Sequence, residues 1–309
     1  MKCLIIDNVD KHIAEELGQY MSVDTLLLPD KEKLISVIAE YDALIMRVDP
    51  HIDREVLEAA KNLKFIGVCS VGLDHIDMEA AKEKGVAVHN APGMNSNAVA
   101  ELTICKMLEL SRDTITANHD VKVLHQWDKY KFMGRELRGK TIGILGFGRI
   151  GQRVGFLARA FGMKVLAYDP YLPAHVFEEQ EATSMGIYEV LHNADYVTIH
   201  VPLTEETRNL VCKEQIAQMK DGAMVLNMSR GGICNEQDVY EALVSGKLGG
   251  YGADVMENEL AENKEEFVSP LFNCDKFVIS PHAGAQTVDA AYDIGQLIIA
   301  DCKKALGIA

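Results

Sequence analysis

No stretch of this 309-residue sequence approaches the roughly 20 consecutive apolar residues a helix needs to cross a bilayer, so no membrane partner is expected. Positive charge is scarce. Lys and Arg number 31 against 46 Asp and Glu, and the net charge of −15 disfavours nucleic acid or an anionic surface as the main partner, though a local basic pocket stays open. The seven cysteines, at 3, 69, 105, 212, 234, 274 and 302, contain no CxxC pair. Neither a zinc site nor a disulfide framework is expected, and a reducing, cytoplasmic setting is. Internal repeats and low-complexity segments are also missing. The opening residues MKCLIIDNVD place Asp7 straight after a short apolar run, which reads as a first strand and not a signal peptide. What is present is a globular balance, 48% hydrophobic and 25% charged, over a length that suits one large or two ordinary domains.

Short apolar runs alternate with helical patterns. KCLIID, VDTLLL, ALIMR, KFIGVCS and GVAVHN predict five strands in the first 90 residues. Beyond residue 140 the pattern restarts with TIGILGF, KVLAYD, YVTIHV, AMVLNMS, GGYGADV and KFVISPH. Alternation of this kind implies parallel sheets with helices on both faces, so two series imply two α/β domains of the doubly wound, Rossmann-like type. One long helical stretch without Gly or Pro, from about Asn97 to His119, is the expected joint. The segment after the last strand reads as a C-terminal helix that returns to the first domain.

The restart carries Gly146, Gly148 and Gly151 in a GxGxxG spacing, after an apolar strand and before an amphipathic helix. A second strand ends in Asp169, eighteen residues after Gly151. GxGxxG alone is a weak signal; this context is what dinucleotide binding requires. The first glycine permits the tight turn, the second lets a pyrophosphate approach the backbone, and the third brings helix and strand together. The helix start then offers free N–H groups to phosphate. Asp169 is suited to accept from both ribose hydroxyls and would repel a 2′-phosphate, which favours NAD over NADP. The expected cofactor site also takes in Arg149 and Ile150 between the glycines, and His200, Pro202, Thr207, Met228, Asp254 and Gly284 at or beyond strand ends.

In open parallel sheets, ligands bind at the carboxyl ends of the strands. Arg230 follows one such strand, in LNMSRGGIC, and is costly to bury without an anion. Taken alone it reads as an ordinary surface arginine. His282 ends another strand, and Asp254 and Glu259 follow a third. An acid–base group, a carboxylate beside it and a cation are what hydride transfer at a C–O carbon needs.

The motifs VGLDHID, NAPGMNSNAVAEL, LRGKTIGILGFGRIGQ, HVPLTEETRNL, NMSRGGI, GADVMENE and ISPHAG occur in this order, and the sequence resembles the D-isomer-specific 2-hydroxyacid dehydrogenase family over nearly its whole length. The resemblance implies a dinucleotide domain, residues 98–284, inserted into a substrate domain made of 1–97 and 285–309, and a homodimer. It implies His282 as acid/base, Glu259 as its partner and Arg230 as the clamp on carbonyl and carboxylate. It further implies a carboxylate-binding loop at Val71 and Gly72, and Asn95 near substrate and nicotinamide. Asn95 is equally suited to cap the helix after it, as is Asn97. Arg47 matches a position where phosphoglycerate dehydrogenases carry a basic residue, while Asp49 would repel a phosphate facing the same way.

The resemblance implies a small anionic 2-hydroxy or 2-oxo acid as substrate, with 3-phosphoglycerate, glyoxylate and hydroxypyruvate as candidates. The C-terminal regulatory domain of longer phosphoglycerate dehydrogenases is expected to be absent. Relatives that oxidise formate carry glutamine in place of Glu259, and phosphite oxidisers carry lysine in place of Val71, so neither reading is favoured. A non-enzymatic NAD(H)-sensing interaction protein, like the corepressors of the family, is the alternative; these usually add disordered tails, and none is read here. The sequence departs from the family at Leu260, where proline usually follows the glutamate. The acidic runs EEQEATS and ENELAENKEEF read as solvated surface. His75, His89, His119, His125, His175 and His192 read as surface or core residues, and Trp127 and the tyrosines near it as packed.

Overall fold

The computed structural model describes residues 1–259 and 267–308. They form two compact units, Met1–Asn95 with Ala285–Ala309, and Ser96–Gly284. Leu260 and the rest of the acidic segment 260–266 lie outside the described residues.

The first unit is a five-stranded parallel sheet. Its strands are β1 (Lys2–Ile5), β2 (Ser22–Thr25), β3 (Ala43–Met46), β4 (Phe65–Val68) and β5 (Ala87–Asn90), in the order β2-β1-β3-β4-β5. β3 and β4 are buried along their whole length, as central strands covered on both faces should be, while the edge strands β2 and β5 are only partly covered. Asp30, Asp53 and Asp77 cap the short connecting helices by accepting backbone N–H bonds three residues on. The helix Val288–Leu306 packs across β4, and Gly67 is what lets it. A Cβ there would come within 2.5 Å of Ile298.

The second unit is a seven-stranded parallel sheet. Its strands are β6 (Thr141–Leu145), β7 (Lys164–Tyr168), β8 (Thr183–Ser184), β9 (Tyr196–Ile199), β10 (Ala223–Asn227), β11 (Leu248–Ala253) and β12 (Phe277–Ile279). The order β12-β11-β10-β9-β6-β7-β8 reverses direction between β6 and β9, the doubly wound plan in which ligands bind at the switch point. Two such parallel α/β sheets are what the alternating pattern predicts.

Two expectations need correction. The stretch 97–119 is not one helix: Asp113 sits at φ 49°, a left-handed conformation that a right-handed helix cannot include, so Ser96–Arg112 and Thr114–Lys122 are separate. The run EEQEATS is mostly exposed, as expected of a solvated run, and its last two residues form strand β8. Trp127 and Tyr130 do not pack; they are 85% and 77% exposed. Between residue 122 and β6 the chain has no strand or helix to carry those rings to a core. The segment is instead tethered by Lys131, whose ammonium lies 2.5 Å from the buried carboxylate of Asp120.

Candidate active site

At the end of β6 the chain turns through Gly146, with φ 89°. A Cβ there would lie 2.6 Å from the His200 carbonyl oxygen. One on Gly151 would strike the Gly146 carbonyl, so the helix Arg149–Ala160 can lie against β6 only with glycine at that position. Gly148 caps this helix, and a Cβ there would meet nothing within 4 Å. The surface over the helix start is therefore open, with Arg149 exposed and Ile150 half-buried beside it. Asp169 follows β7. Its Oδ2 accepts the Phe147 N–H at 2.9 Å and its Oδ1 the Tyr171 N–H at 3.0 Å. An open glycine cradle at a helix start, with a fixed carboxylate at the next strand end, fits a bound NAD.

His200 ends β9. Its Nε2 pairs with the Thr198 hydroxyl at 2.9 Å, and its Nδ1, shielded from solvent, has no partner among the described residues. Burial pushes this imidazole down to about 3. Pro202 is exposed, and its carbonyl accepts from the Thr207 hydroxyl at 2.6 Å, so Thr207 braces the loop after β9. Met228 is buried after β10. Asp254 is also buried, after β11, and both carboxylate oxygens hold the loop after β12. Oδ1 accepts from the Ser280 hydroxyl at 2.5 Å and the Ala283 N–H at 2.8 Å, while Oδ2 accepts from the Gly284 N–H at 2.7 Å.

His282 lies in that loop. Its φ of 50° is uncommon for a residue with a side chain, and its N–H is held by the Asp254 carbonyl at 2.8 Å. Its Nδ1 meets Glu259 Oε1 at 2.8 Å, with the imidazole half exposed and the carboxylate mostly covered. Glu259 Oε2 accepts the Met256 N–H at 3.1 Å. The hydrogen bond to Glu259 raises the His282 pKa; burial opposes this, the charges of Glu259 and Asp254 add to it, and Arg230 works against it. For Glu259, burial alone would raise the pKa. The bond and charge of His282, the Met256 N–H and the charge of Arg230 outweigh burial, and the net shift is downward. Arg230 extends the turn after β10. That turn is fixed by Asn227, which donates to the Arg230 carbonyl at 2.9 Å, and by Ser229, whose hydroxyl donates to the Ile199 carbonyl at 2.7 Å. The guanidinium makes one bond among the described residues, to the Ser229 carbonyl at 2.8 Å.

In the first unit, Asp7 gathers the loop after β3. Its Oδ2 accepts the N–H groups of Arg47 at 3.0 Å, Val48 at 2.9 Å and Asp49 at 3.4 Å. The Arg47 guanidinium donates to Gln286 Oε1 at 3.0 Å. The Ser70 hydroxyl reaches the carbonyls of Arg47 at 3.0 Å and Gly72 at 3.3 Å, and Asn90 donates to the Val71 carbonyl at 2.6 Å. Val71 is exposed. The Asn95 Oδ1 is shielded from solvent and has no partner among the described residues. Sequence reasoning did not single out Asp7 or Ser280 as loop organisers. For Asp7 the available signal was an acid at the end of the first apolar run.

Comparisons with known proteins agree with this geometry. A family model described as D-isomer specific 2-hydroxyacid dehydrogenase, NAD binding domain, matches residues 104–284. The chain is 40% identical over 307 residues to a D-3-phosphoglycerate dehydrogenase of Methanocaldococcus jannaschii, covering 99% of this chain and 57% of that protein. It thus spans little more than half the length of that relative. It is also 40% identical over 279 residues to a hydroxypyruvate reductase of Thermotoga maritima, covering 90% of this chain and 89% of that protein. The solved structure of a D-lactate dehydrogenase from Aquifex aeolicus, complexed with NAD and lactic acid, is 28% identical. It superposes with a TM-score of 0.83 over 100% of this chain and 96% of that one.

Proposed function

This chain belongs to the D-isomer specific 2-hydroxyacid dehydrogenase family, and on that footing we propose that it interconverts a small D-2-hydroxy acid and its 2-oxo acid with NAD. The observation that carries the reading is the 2.8 Å contact between His282 and Glu259, on a sheet whose switch point bears the dinucleotide glycines. Held at the glycine turn and Asp169, NADH would supply the hydride that reduces the substrate's C2, and NAD+ would accept it in the oxidising direction. Because Nδ1 of His282 is committed to Glu259, Nε2 is the nitrogen left to face substrate. In the reducing direction His282 enters protonated and gives its proton to the oxygen of the former carbonyl. In the oxidising direction the same nitrogen takes the hydroxyl proton. Glu259 orients the ring and stabilises its cationic form. Arg230 holds the carboxylate and polarises the carbonyl, whose oxygen gains negative charge in the transition state.

The substrate carboxylate is assigned to the Val71–Gly72 loop and Asn95, and the far end of the substrate to Arg47. The phosphate of 3-phosphoglycerate would engage Arg47, whereas glyoxylate and hydroxypyruvate would not need it. A homodimer is part of the proposal. Ile115, Val123, Leu124, Trp127, Tyr130 and Met133 are all at least 48% exposed, and such an apolar surface suits a second copy of the chain. A cytoplasmic setting fits seven thiols with no disulfide. The experiment is NADH turnover against glyoxylate, hydroxypyruvate and phosphohydroxypyruvate, with NAD reduction by 3-phosphoglycerate in parallel. Turnover of at least one supports the enzyme. Tight NADH binding with no turnover of any 2-oxo acid would favour the sensing protein instead.

A further inference from the structure

Glu259 acts on His282, yet its chain segment leaves the sheet after β11 and must be held from outside. Two features of the neighbouring turn do this. The first is Gly231, next to Arg230. A Cβ there would run into the carbonyl of Met256 and come within 2.6 Å of the Glu257 nitrogen, so the Met256–Glu257 peptide lies directly on the Arg230–Gly231 turn. The second is Glu236, in the first turn of the helix Glu236–Ser245, whose start is capped by Asn235. Glu236 Oε1 accepts the Glu257 N–H at 3.0 Å, and its Oε2 accepts the Ser269 hydroxyl at 2.7 Å. One carboxylate therefore holds both Glu257, two residues before Glu259, and Ser269. Its negative charge at a helix start is itself favourable.

We propose that Glu236 is a positioning residue: it anchors the Glu259 segment to the helix that follows Arg230, and so holds Glu259 against His282. The bonds from Glu257 and Ser269 end on an ionised acceptor, which makes them stronger than neutral ones. The Met256 N–H that fixes Glu259 Oε2 belongs to the residue just before Glu257, so the anchor and the reactive contact are two links apart. Both Oε atoms are engaged. Gln at 236 keeps the shape, and its amide can still accept from the Glu257 N–H and donate to the Ser269 oxygen, but only through neutral bonds, so the charge that strengthens both is lost.

This inference rests on reading His282 and Glu259 as the acid–base pair, and its test is readable without turnover. The His282 ring is titrated by NMR in the full-length chain, as wild type and as Glu236→Gln, Ser269→Ala, Glu259→Gln and the Glu236→Gln/Glu259→Gln double variant. The groups that set this titration are Glu259, Arg230 and Asp254, together with burial of the ring. Glu236→Gln is expected to lower the His282 pKa toward the Glu259→Gln value by about half a unit, a roughly threefold weaker coupling. Ser269→Ala should move it less, in the same direction. The double variant should match Glu259→Gln. In turnover, Glu236→Gln should lower kcat with NADH affinity unchanged. A wild-type His282 pKa in both Glu236→Gln and Ser269→Ala would overturn the proposal, even if thermal stability fell. Should Glu236→Gln fail to fold, Ser269→Ala decides alone. If the wild type turned over no 2-oxo acid, the functional reading would fail while the titration still judged the anchor.

Discussion

His200 directly follows β9, and His282 follows β12 by three residues, in the same parallel sheet. Their surroundings differ completely. His200 has a threonine hydroxyl on one nitrogen and, among the described residues, no partner on the other, and burial drives it down to about 3. A shift of that size leaves it a neutral imidazole near pH 7, unsuited to act as the acid. His282 is half exposed, faces the Glu259 carboxylate and is shifted upward. Residue type and place at a strand end are shared by the two. The partner on the ring and the access of solvent make His282 the one suited to act as an acid, while His200 borders the glycine turn.

The most drastic way to break this contrast is to remove the imidazole proposed as the acid. His282→Gln should cost at least about 10² in kcat, the usual scale for a general acid, and should keep NADH affinity. His200→Asn should instead act on NADH affinity or stability and leave the pH dependence of turnover where it was. Steady-state kinetics with NADH titration by fluorescence separate the two; near wild-type turnover in His282→Gln would place the acid elsewhere.

Arg230 sharpens the picture from the substrate side. Arg230→Lys keeps the charge but loses the paired fork, and should lower kcat/KM for the 2-oxo acid by about tenfold or more. Arg230→Ala should be worse, and NADH binding should change little in either. A surface arginine at a strand end would move kcat/KM within about 0.5 kcal/mol in both variants, and that result would dismantle the assembled site.

At the cofactor end, kcat/KM should favour NADH over NADPH by at least about tenfold, or roughly 1.4 kcal/mol. Asp169→Ala should shrink the ratio. Equal efficiency in the wild type would remove Asp169 from its role.

The smallest expected effect is on stability. The lowered Glu259 pKa contributes stability above its ordinary 4.5 that is lost as pH falls through the folded value. The raised His282 pKa contributes below its ordinary 6.5 and is lost as pH rises through the folded value. The Tm difference between wild type and Glu259→Gln should therefore be largest between those two ordinary values and shrink on either side. A difference that grew steadily into alkali would contradict the ion pair.

Periodicity and the glycine motif make the second sheet legible in the sequence, because buried parallel strands are continuous apolar runs and a dinucleotide turn constrains residue type. His282 is legible from its strand end and the family motif. Glu259 is less so: by composition it lies in a solvated acidic run, and the family motif alone points to it as the partner of His282, while the fold turns its carboxylate onto His282 and holds its neighbour Glu257 through the backbone. The roles of Asp7, Ser280 and Glu236 come from bonds to residues 21 to 42 positions away, which no local pattern encodes. Trp127 and Tyr130 mislead for the opposite reason, since an aromatic ring in sequence says nothing about whether an element brings it to a core.

The claim that Glu259 makes His282 the acid is tested most directly by the pH profile of kcat/KM for 2-oxo acid reduction, in wild type and Glu259→Gln. In the wild type, reduction should fall as pH rises through an apparent pKa above 6.5, while oxidation rises over the same range. Glu259→Gln should move both limbs to lower pH. A reduction profile that is flat across that range, or one that Glu259→Gln leaves in place, would contradict the account.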